Sequence, residues 1–267
     1  MRLRTAATTC LAALALLALA AAPAAAGIHY RADTTTRPEG GKAQSTRVEA
    51  WVDGPNAKVV FVESDQPMFS KGSYLLTQDG GKTLFLVDPE EKTYTEWDLE
   101  GMLSAIGGIM ESMKGLVNIE FSDPEVEKLA EEPGGELLGR AVTHSKYRTS
   151  YTTSIKVLGM KRQSSTETVQ DLWTTKAFED AGLGVWLRTE PPATGLEDLD
   201  RLIAAEMDKV EGFPLKTVSV ATTTGQKGKQ QTVRTETVVS ELEEVSVPAG
   251  TFEIPAGYER TEMADGR

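Results

Sequence analysis

From residue 28 to residue 97, polar and apolar positions alternate with a period of two, and clusters of Gly, Pro, Asn and Asp interrupt the alternation. Residues 28–36 (IHYRADTTT) are rich in β-branched and aromatic side chains and read as a first strand. Residues 45–52 set Val48, Ala50 and Val52 against Arg47, Glu49 and Trp51, and Asp53-Gly54-Pro55-Asn56 turns the chain into a return strand over 57–63. That return strand is apolar on both faces, with Val59 and Phe61 on one and Val60 and Val62 on the other. A strand of this kind is covered on both sides. Residues 73–77, 82–87 and 93–97 continue the series. Tight turns at Asp79-Gly80-Gly81 and Asp88-Pro89-Glu90-Glu91 make them antiparallel neighbours.

The period then changes to 3.6. Leu99, Met102, Leu103, Ile106, Ile109, Met110, Met113 and Leu116 fall on one stripe of a predicted helix over 98–117, with Asp98 as N-cap. Gly101, Gly107, Gly108 and Gly115 weaken this helix by about 1 kcal/mol each relative to Ala. Methionines make the stripe adaptable. Two readings fit: a lid over a hydrophobic cavity, or a helix packed into the core. On the lid reading, Met102, Leu103, Ile106, Met110 and Met113 line the cavity, together with Trp97 and Trp173.

Residues 117–121 look like a strand, and 123–132 are open. Ser122 with Glu125 resembles a capping box and Pro124 suits a helix start, but Pro133-Gly134-Gly135 followed by 136–139 reads equally as a hairpin. Residues 141–154, 155–162 and 165–174 predict three strands, and 183–188 a further one. A second helix is predicted over 194–210, opened by Thr194 and Glu197 as a capping box. Its apolar stripe is Leu196, Leu199, Leu202, Ile203, Met207 and Val210, and Gly212-Phe213-Pro214 ends it. Strands at 215–224 and 232–242 follow, joined by a small basic tip at 225–229 that reads as a solvated hairpin end. Two Pro-Ala-Gly turns close the chain. The expected fold is mainly β with inserted α: a strongly curved antiparallel sheet or half-barrel closed by two amphipathic helices.

Composition sets the compartment. Arg2 and Arg4, an apolar run over 11–21 and Ala24-Ala25-Ala26 before Gly27 match a secretory signal peptide over 1–26, leaving one domain over 27–267. The apolar run is short for a spanning helix, and no later stretch is apolar enough to cross a membrane. The single cysteine, Cys10, precedes the apolar run, where no lipobox can lie, so the expected location is the periplasm or the exterior, without an anchor. A chain from Gly27 has no disulfide and depends on core burial. The formal net charge is −12, and loss of Arg2 and Arg4 makes the remainder two units more acidic. That balance argues against nucleic acid and against adhesion to anionic headgroups, while leaving acyl chains as possible ligands.

No catalytic apparatus is visible. The only histidines are His29 and His144, which gives little basis for a Ser-His-Asp arrangement or a zinc site. The acidic clusters lack the calcium-loop pattern, and no phosphate loop or dinucleotide fingerprint occurs, so no cofactor or metal is expected.

Five segments carry a family resemblance: GSYLLTQDGGKTLFLVDPEEKTYTEWD, ELLGRAVTHSKYR, TVQDLWTT, GFPLK and TFEIPAGYER. They resemble an uncharacterised family of bacterial secreted proteins within the wider superfamily of lipoprotein carriers and lipid-binding proteins typified by LolA, LolB, LppX and the sensor-side domain of RseB. The resemblance implies a half-barrel of about eleven strands closed by helices, with a cavity that accepts acyl chains in better-studied members. No carrier motif matches residue by residue, and the missing lipobox departs from LolB and LppX. The leading expectation is a non-catalytic periplasmic binding protein for a lipid or an acylated lipoprotein. The alternatives are an envelope interaction or sensor module with a filled half-barrel and, last, a hydrolase using surface carboxylates.

Overall fold

β1 (Gly27–Pro38) is the seam of the molecule. It pairs antiparallel with β2 (Gln44–Asp53) on one side and with β12 (Gln230–Val245) on the other. Two meanders meet there in the computed structural model, which describes residues 27–98, 101, 117–181, 190, 191, 193, 194 and 196–262. The first runs through β2, β3 (Asn56–Ser64), β4 (Tyr74–Thr77), β5 (Thr83–Asp88) and β6 (Thr93–Asp98). The second comprises β7 (Val117–Phe121), β8 (Glu125–Leu137), β9 (Arg140–Val157), β10 (Met160–Thr175), β11 (Phe213–Thr224) and β12. Together with β13 (Glu259–Thr261) they form one curved, unclosed sheet in the order β13-β6-β5-β4-β3-β2-β1-β12-β11-β10-β9-β7, with β8 also on β9.

The mainly β half-barrel is therefore as expected, with three local corrections. First, residues 141–174 make two strands rather than three. β9 runs unbroken into a two-residue turn at Leu158-Gly159, where φ is +49° and +83°. Both turn residues have positive φ, the geometry that suits the right-handed twist of a hairpin. Leucine is a poor occupant of that region, which is why the turn is hard to see in the sequence. Second, the same device, Leu138-Gly139 with φ of +51° and +71°, turns β8 into β9 and settles residues 125–137 as strand. Pro133 fits there because β8 lies on the sheet edge and a register irregularity spans Pro133 to Glu136.

The third correction concerns the second helix. α1 (Glu197–Met207) is present, but Thr194 does not form the expected box. Its amide and hydroxyl both donate to Asp200 Oδ1, at 2.7 and 2.6 Å, while Thr194 Oγ1 accepts from the Leu196 amide at 3.1 Å. Glu197, Asp198 and Asp200 in the first turn favour the positive end of the helix dipole. The expected helix over 98–117, apart from Asp98, Gly101 and Val117, and the expected strand over 183–188 lie outside the described residues. One strand pairing departs from the antiparallel rule: β13 returns parallel to β6.

Candidate functional site: an apolar cavity

Period-two alternation splits the central strands into two chemically different faces. Tyr30 and Ala32 on β1 point one way and Arg31 and Asp33 the other, and the registers carry that division across to β2, β11 and β12. The first face borders a cavity of about 350 Å³. Ala32, Val48, Val59, Phe61, Leu75, Leu172, Phe213 and Val239 contribute apolar wall, and Val210, just beyond α1, adds to it. Tyr30 meets Phe213 edge-on, with ring centroids 5.4 Å apart, and Phe178 meets the same ring at 6.4 Å. Burial pushes the Tyr30 hydroxyl well above its ordinary pKa, so it stays neutral at physiological pH.

The described lining contains no charged side chain. Its polar groups are Tyr30, Gln170, Thr217 and Thr237, and the Thr237 hydroxyl is engaged with that of Thr34 at 3.0 Å. Gln170 is different: its Oε1 is buried and has no hydrogen-bond partner among the described residues. The volume falls at the small end of the roughly 300–1,000 Å³ typical of ligand pockets.

The opposite face is an ion-pair lattice. Arg31 reaches Glu49 at 2.9 Å and Glu241 at 3.0 Å, and Arg47 reaches Asp33 at 2.7 Å and Glu63 at 3.2 Å. Partial burial alone would raise the Glu49 carboxyl, but hydrogen bonds from His29 and Arg31 and the nearby guanidinium outweigh it and hold the group below the usual range. Both histidines belong to this lattice. His29 is bracketed by Glu49 at 2.9 Å and Glu243 at 3.1 Å, and His144 by Asp171 at 2.8 Å and Glu132 at 3.2 Å. Each imidazole thus has both nitrogens occupied by carboxylates. Among the described residues no cluster of three or more His, Cys, Asp or Glu is arranged to hold a metal.

The two predicted tryptophans do not meet. Trp97 lies on β6 opposite Leu84, and its indole N–H is buried without a partner among the described residues. Trp173 lies on β10, with seven strands between the two in the sheet order. Its ring stacks on His144 at 4.5 Å with planes 12° apart, and the Lys216 ammonium sits 5.0 Å from its centroid. Alternation puts Trp173 on the face opposite Leu172, and neither tryptophan is among the residues bordering the cavity. Met102, Leu103, Ile106, Met110 and Met113 lie outside the described residues. Of the wall residues that sequence reasoning passed over, Tyr30 and Leu172 carry an ordinary strand signal and Phe213 reads as part of a helix stop. Only the cross-strand registers bring them together.

No curated protein matches the chain in sequence. Solved structures similar to it include an uncharacterized conserved protein from Thermus thermophilus, with TM-score 0.36 at 9% identity, covering 88% of this chain and 91% of that one. A LolA superfamily protein from Nitrosomonas europaea gives TM-score 0.31 at 10% identity over 85% and 90% of the two chains. A DUF1329 family protein from Desulfovibrio piger gives 0.33 at 10% over 86% and 91%. Residues 159–258, from the β9–β10 turn to the approach of β13, match the family model described as a domain of unknown function, DUF4412.

Proposed function

We propose that the protein is a non-catalytic binding protein for an apolar chain, a lipid or the acyl group of a lipoprotein, held in the cavity between the central strands and Val210. The observation that carries this reading is a 350 Å³ cavity whose described lining is almost wholly apolar and uncharged. Binding would draw on hydrophobic burial, about 0.8 kcal/mol for each methylene removed from water. The occupation of both histidines by carboxylates supports a non-catalytic role, because neither ring nitrogen is left facing a substrate. Residues 1–26 act on this reading as an export signal, and the chain from Gly27 works in the periplasm or outside the cell. No helix among the described residues is long and apolar enough to cross a membrane.

The stripe containing Met102, Leu103, Ile106, Met110 and Met113 is proposed on sequence grounds as further ligand contact. Met110→Asp is then expected to weaken binding of an acyl probe while the sheet stays folded. Unchanged affinity would remove the stripe from the site. The primary test is mass spectrometry of solvent extracts from protein purified out of its native envelope. A stoichiometric, recurrent apolar ligand is expected. Background lipid at sub-stoichiometric level would overturn the reading.

A further inference from the structure

The acidic balance of the chain conceals a strongly basic corner. The β9–β10 hairpin carries Lys156, Lys161 and Arg162 around its turn, and the β11–β12 connection carries Lys227 and Lys229. The two tips are joined: the Gln226 side-chain amide donates to the Lys161 carbonyl at 3.2 Å. Residues 154–166 and 221–232 contain no Asp or Glu. The first acid on the neighbouring strand β7 is Glu120, set back opposite Ser154.

Lys156 and Lys161 face each other directly across the hairpin. Like charges in that relation repel and destabilise the pairing. Elsewhere the sheet sets its cations against carboxylates, as with Arg31, Arg47 and Arg148. None of the five tip cations has an ion-pair partner among the described residues, so no described carboxylate relieves the repulsion. Between these cations the hairpin end exposes large apolar side chains: Leu158 is 71% exposed, Met160 66%, and Ile155 and Val157 about 40%. An apolar point ringed by unpaired cations matches an anionic bilayer. The aliphatic side chains enter the interface while the ammonium and guanidinium groups stay at headgroup level.

We infer that the paired tips of the β9–β10 and β11–β12 hairpins form a docking surface for an anionic lipid bilayer. The overall negative charge disfavours approach in any other orientation, so the corner also orients the protein on the membrane. This inference does not depend on what the cavity holds.

The test is sedimentation with vesicles of mixed phosphatidylglycerol and phosphatidylcholine, against pure phosphatidylcholine, at low and high salt. The wild type and every variant are the exported chain from Gly27, so the cationic and apolar residues 1–26 make no contribution to binding. The wild type is expected to partition at least about tenfold more strongly onto the anionic vesicles, with binding falling steeply as salt rises. Lys156→Glu with Lys161→Glu, and separately Leu158→Glu with Met160→Glu, are each expected to lower that partition by about tenfold or more. Lys82→Glu with Lys176→Glu alters net charge as much as the lysine tip pair but lies away from the tips, and is expected to retain most of the binding. Circular dichroism checks that each variant keeps its sheet. Equal binding to both vesicle types, or binding unchanged by both tip variants, overturns the proposal. So does a tip variant whose only effect is loss of self-association without vesicles, which would make the corner a contact between copies.

Discussion

The Lys209 ammonium donates to the Thr149 hydroxyl at 3.0 Å in a site where the lysine is almost wholly buried and the threonine entirely so. Two residues beyond α1, this contact pins the end of the helix to β9, and it sits beside Val210 on the cavity wall. A second partner, Glu206 at 2.6 Å, supplies the compensating charge. Removing that charge while leaving the buried cation is expected to cost more than removing both charge and need. Glu206→Gln should destabilise by about 1–3 kcal/mol, reduced from the full buried-pair value because Glu206 is partly exposed to solvent screening. Lys209→Met should be close to neutral, since it packs the same volume without a charge. Urea unfolding of the two variants decides the point, and the order reversed would mean that Lys209 matters chiefly for Thr149.

Among the described lining residues, Gln170 is the one whose side chain has a buried polar atom without a hydrogen-bond partner. A buried carbonyl oxygen left without a donor costs about 1–3 kcal/mol. Gln170→Leu keeps similar volume and removes that cost. The variant is expected to be at least as stable as the wild type and to bind a purely aliphatic probe more tightly, by roughly tenfold for each 1.4 kcal/mol recovered. Fluorescent-probe titration alongside thermal unfolding reads both quantities. Loss of stability instead would show that Oε1 is satisfied by an ordered water whose removal is costly.

These two residues mark where the sequence was legible and where it was not. Alternation over Val48, Ala50 and Val52 and over Val59 and Phe61 identified the strands and their buried faces, because period two is a local property. The pairing of β1 with β12 is not local: Tyr30 meets Leu242 across more than two hundred residues, so the seam under the cavity leaves no mark in any short window. Trp173 was singled out as a cavity residue because it is large and apolar, and strand parity instead places it among His144, Asp171 and Lys216. Parity relative to Leu172 was readable, but which parity faces inward was not. Leu138-Gly139 and Leu158-Gly159 stayed hidden because they lack the Asn or Asp that normally signals two positive φ values in a turn. The tip at 225–229 is the solvated hairpin end that the sequence suggests, and its junction with the tip at 156–162 stayed hidden because the two lie far apart in sequence.

The outer lattice gives the fold an acid limit. Glu49 titrates below its ordinary range because hydrogen bonds from His29 and Arg31 outweigh the opposing effect of burial. In Asp79, likewise, burial raises the carboxyl but the Thr83 amide and the Thr77 hydroxyl, at 3.0 and 2.9 Å, bring it down. A carboxyl whose folded pKa lies below its unfolded value binds fewer protons in the native state. The stability it contributes is therefore fully present above the unfolded value, about 4.3 for Glu and 3.9 for Asp, and is lost as pH falls through the folded value. Urea midpoints should thus hold level for these two groups between pH 7 and pH 5 and decline below about pH 4. Glu49→Gln should lower the midpoint at pH 7, where the native carboxylate is doing its stabilising, and flatten the decline below pH 4, where the wild-type group is being protonated anyway. A variant with an unchanged acid slope would assign the limit to Asp79 and other carboxylates, and Asp79→Asn measured over the same range would then separate them.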